Sequence, residues 1–144
     1  MRTRDLLLGT WRDVREAVQR IDAVLWDVVE AGTGLDGPES EVVVRLLNEP
    51  GHAMPMTRLA DEVSFSSGGF TKLADRLEAD GLVERRADPA DRRVTNAALT
   101  PEGERLAKRA VALVARALRG QLLVPLTEDG VRTLARLLAR LDPE

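Results

Sequence analysis

Residues 56–103 read MTRLADEVSFSSGGFTKLADRLEADGLVERRADPADRRVTNAALTPEG, and the fold is decided within them. Met56, Leu59, Ala60 and Val63 sit at i, i+3, i+4 and i+7, the spacing of one helical face. Ser64-Phe65-Ser66 makes a tight turn, and the Ser66 hydroxyl is suited to accept from an unpaired first-turn N–H of the next helix. That helix runs from Ser67 to about Ala79, burying Phe70, Leu73, Ala74 and Leu77, with Gly81 as its C-terminal stop. Leu82–Arg86 and Val94–Leu99 pair as a hairpin through Ala87-Asp88-Pro89-Ala90-Asp91-Arg92-Arg93. Thr100-Pro101-Glu102 starts another helix, with a capping hydroxyl, a first-turn proline and an acid set against the helix dipole.

Helix, turn, helix and hairpin in that order make a winged helix-turn-helix, a module that lays its second helix in the major groove of DNA. The flanks are helical. In residues 4–30, Leu7, Leu8, Trp11, Val14, Val18, Ile21, Leu25 and Val28 form one apolar stripe, longer than a single small domain can cover. Gly32-Thr33-Gly34 ends that helix. A second begins near Pro38, buries Val42, Val43, Leu46 and Leu47, and stops at Pro50-Gly51. The helix opened by Thr100 runs to about Leu123, where Pro125 breaks it. Thr127-Glu128-Asp129 starts the last helix, lined on one side by Val131, Leu134, Ala135, Leu138 and Leu141. The fold class is therefore mostly α with a small β-hairpin, a winged helix-turn-helix flanked by N- and C-terminal helices.

Hydrophobic residues make up 44% and charged residues 31% of the 144, the balance of a soluble helical protein. No uninterrupted apolar run approaches the roughly 18 residues of a membrane span. The N-terminus lacks the apolar core of a signal peptide, so no membrane association and a cytoplasmic location are expected. Without cysteine there is no disulfide, thiolate nucleophile or Cys-ligated zinc. Residues 58–95 hold seven bases (58, 72, 76, 85, 86, 92, 93) against eight acids (61, 62, 75, 78, 80, 84, 88, 91), so any polyanion must be met by placed cations and not by bulk charge.

On the helix from Ser67, the face opposite Phe70, Leu73 and Leu77 presents Ser67, Gly68, Thr71 and Lys72 and, a turn later, Asp75 and Arg76. Small and hydroxyl side chains let the backbone approach DNA, and Lys72 can reach a phosphate or a guanine edge. At the hairpin tip Arg92 and Arg93 can enter a minor groove or clamp the backbone, with Asp91 orienting an arginine. The bland alternatives are a solvated helix face and a soluble charged turn. Gly32-Thr33-Gly34-Leu35-Asp36-Gly37 has the letters of a dinucleotide-binding loop, but it follows a helix where the chemistry needs a strand. His52 is a lone loop histidine without a visible partner. Trp11 and Trp26, about four turns apart on one helix, either pack against a partner helix or line a small-molecule pocket. No residue constellation supports catalysis, and no metal or cofactor is called for.

The run Leu59-Ala60, Ser66, Thr71-Lys72-Leu73, Asp75-Arg76-Leu77-Glu78, Gly81-Leu82-Val83-Glu84-Arg85, Asp88-Pro89, Asp91-Arg92-Arg93 and Leu99-Thr100-Pro101-Glu102-Gly103 resembles the MarR family of bacterial transcription regulators. The D-R-R tip followed by L-T-x-x-G is its most specific part. The resemblance implies a homodimer whose dimerisation domain joins residues 1–34 to 101–144, with residues 35–100 as the DNA-binding domain. It further implies a pseudopalindromic double-stranded operator, read by Ser66, Ser67, Thr71, Lys72 and Arg76 in the major groove, beside the Gly68 of the exposed face, and touched by Asp91, Arg92 and Arg93 of the wing. A repressor released by a small aromatic or acidic effector fits the same family. Two features depart from its pattern: Gly68-Gly69 costs roughly 1 kcal/mol of helix propensity per interior glycine, and the small second hairpin strand, Val94–Ala98, leaves the wing mobile until DNA orders it. A winged helix that docks on another protein is the competing reading, favoured slightly by the net charge of −3.

Overall fold

The computed structural model describes residues 2–63 and 67–142, so the turn Ser64-Phe65-Ser66 and the capping role of Ser66 lie outside the described residues. Contacts divide the chain into two units, Val29–Leu113 and the pair of segments Met1–Val28 and Val114–Glu144. The elements are α1 (Thr3–Thr33), α2 (Gly37–Leu47), a 3-10 turn (Pro50–His52), β1 (Ala53–Pro55), α3 (Met56–Glu62), α4 (Ser67–Ala79), β2 (Val83–Ala87), β3 (Thr95–Leu99), α5 (Pro101–Leu118), a π-helical turn (Arg119–Leu123) and α6 (Val124–Ala139).

In the unit Val29–Leu113 the core gathers Val42, Val43 and Leu46 of α2, Leu59 of α3, Phe70, Leu73 and Leu77 of α4, and Leu82, Val83 and Leu99 around the sheet. Burying each large aliphatic side chain contributes about 1.5–3 kcal/mol. The glycine-rich hexapeptide 32–37 ends α1, turns at residues 34–36 and opens α2, a helix-to-helix turn and not a phosphate loop. Asp36 caps α2: its Oδ1 accepts from Glu39 N–H at 2.9 Å, and Glu39 Oε2 accepts from Asp36 N–H at 2.9 Å. This reciprocal capping box satisfies two donors that a helix start leaves unpaired, worth about 1 kcal/mol.

The sheet has the order β1-β3-β2, all antiparallel, with Val83 opposite Leu99 and Ala53 opposite Ala98. Both hairpin strands begin one residue later than the sequence suggests, with β3 ending at Leu99 as expected, and β1 is an unforeseen third strand. Its three residues, closed by Pro55, carry no local strand signal; pairing with β3 alone makes them a strand. The same pairing explains the small residues of β3. As the central strand it buries both Ala97 and Ala98, whose side chains alternate to opposite faces, so bulk is excluded on both sides.

The segments Met1–Val28 and Val114–Glu144 contain no fully buried residue among those described. Trp11 is 63% and Leu138 52% exposed, and Leu7, Leu8, Val18, Leu134 and Leu141 are also open. Pro125 does not break the helix as expected: it occupies the first turn of α6, where no N–H is needed. The break falls at Thr127, whose backbone is non-helical (φ 63°, ψ 170°). By length and composition the helical run Pro101–Ala139 could cross a membrane, and only 6% of its most apolar window is buried. Arg116 and Arg119 interrupt that run in the sequence.

One knot joins the end of α4, the sheet and the start of α5. Gly81 takes φ +71°, and Leu82 N–H donates back to Leu77 O at 2.9 Å, closing α4 in a Schellman-type turn. Thr100 then binds both residues of that turn. Its N–H donates to Leu82 O at 3.1 Å and its Oγ1–H to Gly81 O at 2.6 Å, while Oγ1 accepts from Gly103 N–H at 3.1 Å as the cap of α5. Gly103 packs so close that a Cβ there would collide with the Leu82 carbonyl. Gly103→Ala is expected to destabilise the protein by about 1–3 kcal/mol, more than its gain in helix propensity. Urea unfolding measures this; a neutral or stabilising result would refute the close approach.

Candidate nucleic-acid interface

α4 turns Phe70, Leu73 and Leu77 into the core and leaves Gly68, Thr71, Lys72, Asp75 and Arg76 exposed. Ser67 starts the helix, and Ser66 lies outside the described residues. These exposed positions do not form one set. Lys72 has no ion pair among the described residues. Arg76 instead reaches α2, with Nη2 3.2 Å from Asp36 Oδ2 and Nε 3.5 Å from Glu39 Oε1.

The hairpin arginines divide in the same way. Arg85 of β2 donates to Asp75 Oδ1 of α4 at 2.6 Å and pairs with Glu78, tying the wing's first strand to the helix. Arg86 pairs with Glu84 on its own strand. Arg92 has no ion pair among the described residues, and Arg93 pairs with Asp91. Of the four hairpin arginines, two are thus bound within the scaffold and two lie at the tip.

The tip is organised by aspartates. Asp88 N–H donates to Val94 O, and Val94 N–H to Asp91 O, both at 2.9 Å. Asp88 Oδ1 accepts from Ala90 N–H at 2.8 Å and Asp91 N–H at 3.0 Å, while Oδ2 accepts from the Asn96 amide at 2.9 Å. Asp91 Oδ1 accepts from Arg93 N–H at 3.0 Å and its Nε–H at 3.1 Å, and Oδ2 from Nη2 at 3.2 Å. Arg93 is held although its side chain is 90% exposed. The wing tip therefore carries an internal hydrogen-bond frame of its own. Asp88 and Asn96 are the residues sequence reasoning missed; Asp-Pro opening a turn was their signal, since an aspartate there accepts from N–H groups two and three residues on.

Trp11 borders a shallow surface groove of about 290 Å³ with Leu8, Arg12, Arg15, Glu16 and Gln19, all on α1. Trp26 is not part of it, so the two tryptophans do not share that concavity. His52 is half-buried with Nδ1 3.6 Å from Glu104 Oε2, a partner the sequence did not reveal. Glu104 also accepts from Lys108 Nζ at 2.5 Å.

A capped helix with an exposed N-terminal half, set beside an ordered, arginine-tipped hairpin, defines a winged helix-turn-helix of the nucleic-acid-binding type. A family model described as MarR family matches residues 33–94. The HTH-type transcriptional repressor Rv2887 of Mycobacterium tuberculosis is 34% identical over 125 residues, covering 85% of this chain and 88% of that protein. The HTH-type transcriptional regulator MhqR of Bacillus subtilis is 38% identical over 66 residues, 46% of this chain. The chain spans about half of that relative's length (45%). In structure, a mutant MarR from Escherichia coli complexed with operator DNA superposes with a TM-score of 0.76 at 25% identity, over 99% of this chain and 100% of that one. The chain belongs to the MarR family of transcription regulators.

Both tip aspartates are held below the ordinary carboxylate range. For Asp88 the Asn96 amide is the main cause, followed by the Ala90 and Asp91 N–H groups; for Asp91 it is the Arg93 side chain, then the Arg93 N–H. A carboxylate with a lowered folded value stabilises the wing above its ordinary value of about 3.9 and loses that contribution as pH falls through the lowered one. A side-chain carboxyl NMR titration is expected to place both midpoints below ~3.9. Asn96→Ala should return the Asp88 midpoint toward the ordinary value; an Asp88 that titrates normally in the unaltered protein would contradict the frame.

Proposed function

We propose that the protein is a homodimeric, sequence-specific DNA-binding repressor. The N-terminal half of α4 (Ser67, Gly68, Thr71 and Lys72), with Ser66 before it in the sequence, enters the major groove, and Asp91, Arg92 and Arg93 bring the wing to the flanking minor groove or backbone. One observation carries this reading. Of the six cations on α4 and the hairpin, Lys72 and Arg92 are the two without an ion pair among the described residues, and both lie on the exposed faces that a winged helix turns to DNA. Phosphate contacts position such a module, and a few base-edge contacts specify the sequence. The resemblance to an operator-bound MarR and to a named repressor supports the same reading.

Dimerisation is supported by the open apolar side chains of Leu7, Trp11, Val18, Leu134, Leu138 and Leu141. Exposed apolar surface of that extent in a water-soluble protein marks an interface. A second copy supplies residues 1–34 and 101–144 with a mate, two copies of residues 35–100 face a pseudopalindrome, and the protein acts in the cytoplasm. Release of DNA by a small aromatic or acidic effector completes the scheme.

Selection of bound duplexes from a random pool tests the reading directly: a palindromic consensus is expected, and recovery of no preferred sequence would defeat it. Arg92→Ala combined with Arg93→Ala should weaken binding to that duplex and lower the salt slope by about two, with only the small fall in thermal midpoint that loss of the exposed Arg93–Asp91 pair brings. Trp11→Glu with Leu138→Glu should shift the sedimentation coefficient from dimer to monomer; an unchanged dimer would place the interface elsewhere.

A further inference from the structure

Arg76 lies on the exposed face of α4 one turn beyond Lys72, among the residues the sequence assigns to DNA. Its guanidinium goes to the start of α2, 3.2 Å from Asp36 Oδ2 and 3.5 Å from Glu39 Oε1. Those two carboxylates are the two halves of the α2 capping box. Resting on the DNA-binding reading above, we infer that Arg76 is a positioning residue, which aims the recognition helix by clamping it to Asp36 and Glu39 and contacts neither phosphate nor base.

Four observations converge on this role. Glu39 is only 12% exposed, so its carboxylate has given up much of its water and depends on the partners it has. Asp36 is itself fixed: Leu35 beside it is buried in the core, Leu35 N–H donates to Thr33 Oγ1 at 3.1 Å, and the capping box holds the Asp36 backbone. The planar guanidinium suits this task, since its several N–H groups can address two carboxylates at once from one rigid plane. Finally, Arg76 is the tenth of the 13 residues of α4, in its last turn. Recognition helices reach base edges with their N-terminal residues, and a cation in the last turn instead complements the helix dipole.

Arg85 makes the reciprocal clamp from the other side, reaching Asp75 and Glu78 of α4 from β2. α4 is thereby held by charge at both flanks, to α2 through its own arginine and to the wing through its own acids. The joint at the end of α1 is tied to the recognition helix by the first of these clamps, so the aim of α4 is coupled to the Thr33–Asp36 backbone.

The test uses a duplex selected from a random pool by the unaltered protein. Arg76→Gln removes the cation of the clamp. Asp36→Asn with Glu39→Gln removes its anions yet keeps a competent cap, because Asn caps as well as Asp and Gln serves at N3. A positioning role predicts that each change weakens binding roughly tenfold, that the triple variant is no weaker than either, as for members of one network, and that the salt slope stays that of the unaltered protein. A phosphate-contacting Arg76 predicts a slope lowered by about one in Arg76→Gln, and binding maintained or tightened when the neutral amides of the Asp36→Asn, Glu39→Gln variant free the arginine; either result overturns the proposal. Amide hydrogen exchange is read in parallel on the DNA-free protein. Faster exchange in α4 in both variants, with α5 unaffected, supports the clamp, and unchanged exchange overturns it. Should the unaltered protein select no duplex while α4 exchange still rises, the clamp stands and the DNA-binding reading alone falls.

Discussion

The winged helix-turn-helix hangs on the junction where Thr100 meets Gly81 and Leu82. Three elements that must keep a fixed relation pass through it: the end of α4, the start of β2 and the first turn of α5. A single hydroxyl donates to the Gly81 carbonyl and accepts from Gly103 N–H, so one side chain both closes the turn after α4 and caps α5. The absence of a Cβ at residue 103 lets the α5 backbone lie against the Leu82 carbonyl. The L-T-x-x-G letters are the chemical specification of that junction: a core leucine, a two-way hydroxyl and a residue without a side chain.

Around this junction the protein directs most of its positive charge at itself. In residues 29–113, Arg45, Arg58, Arg76, Arg85, Arg86, Arg105 and Lys108 are all ion-paired. Exposed pairs of this kind contribute at most about 1 kcal/mol each, so their consequence is geometric more than energetic. Those of Arg45, Arg58, Arg76 and Arg85 cross between elements and bear on the attitude of α3 and α4 relative to α2 and the hairpin. A module whose acids and bases nearly balance can still present a cation where one is needed, because neighbours neutralise the others. Such a surface resists indiscriminate binding to polyanions, which relies on bulk charge.

The segments Met1–Val28 and Val114–Glu144 obey a different constraint. Their helices are amphipathic, yet no described residue there is fully buried. A helix gains its stability in a protein chiefly from packing its apolar face. Leucines and two tryptophans are left open to water there, and in the proposed dimer a second copy covers them. The apolar window within Pro101–Ala139 belongs to this same open surface, and the proposed interface accounts for its composition.

The local elements of this protein were legible in its residues. The apolar periodicities of α1 to α4, the turn glycine at residue 81, the Asp-Arg-Arg tip and the L-T-P-E-G start of α5 each announce themselves within a few positions, because caps, turns and helix faces are short-range physics. That was also enough to reveal the family. Tertiary structure alone decided the rest. It made a strand of Ala53–Pro55 by pairing it with β3, explained the alanines of β3 by covering both its faces, and moved the break near Pro125 to Thr127. It also sorted the cations: Arg76 pairs with an acid 40 residues away and Arg85 with one ten residues away, whereas Lys72 and Arg92 find none among the described residues. A sequence names the charges it carries, but which of them stay available to a partner depends on what the fold brings within about 4 Å.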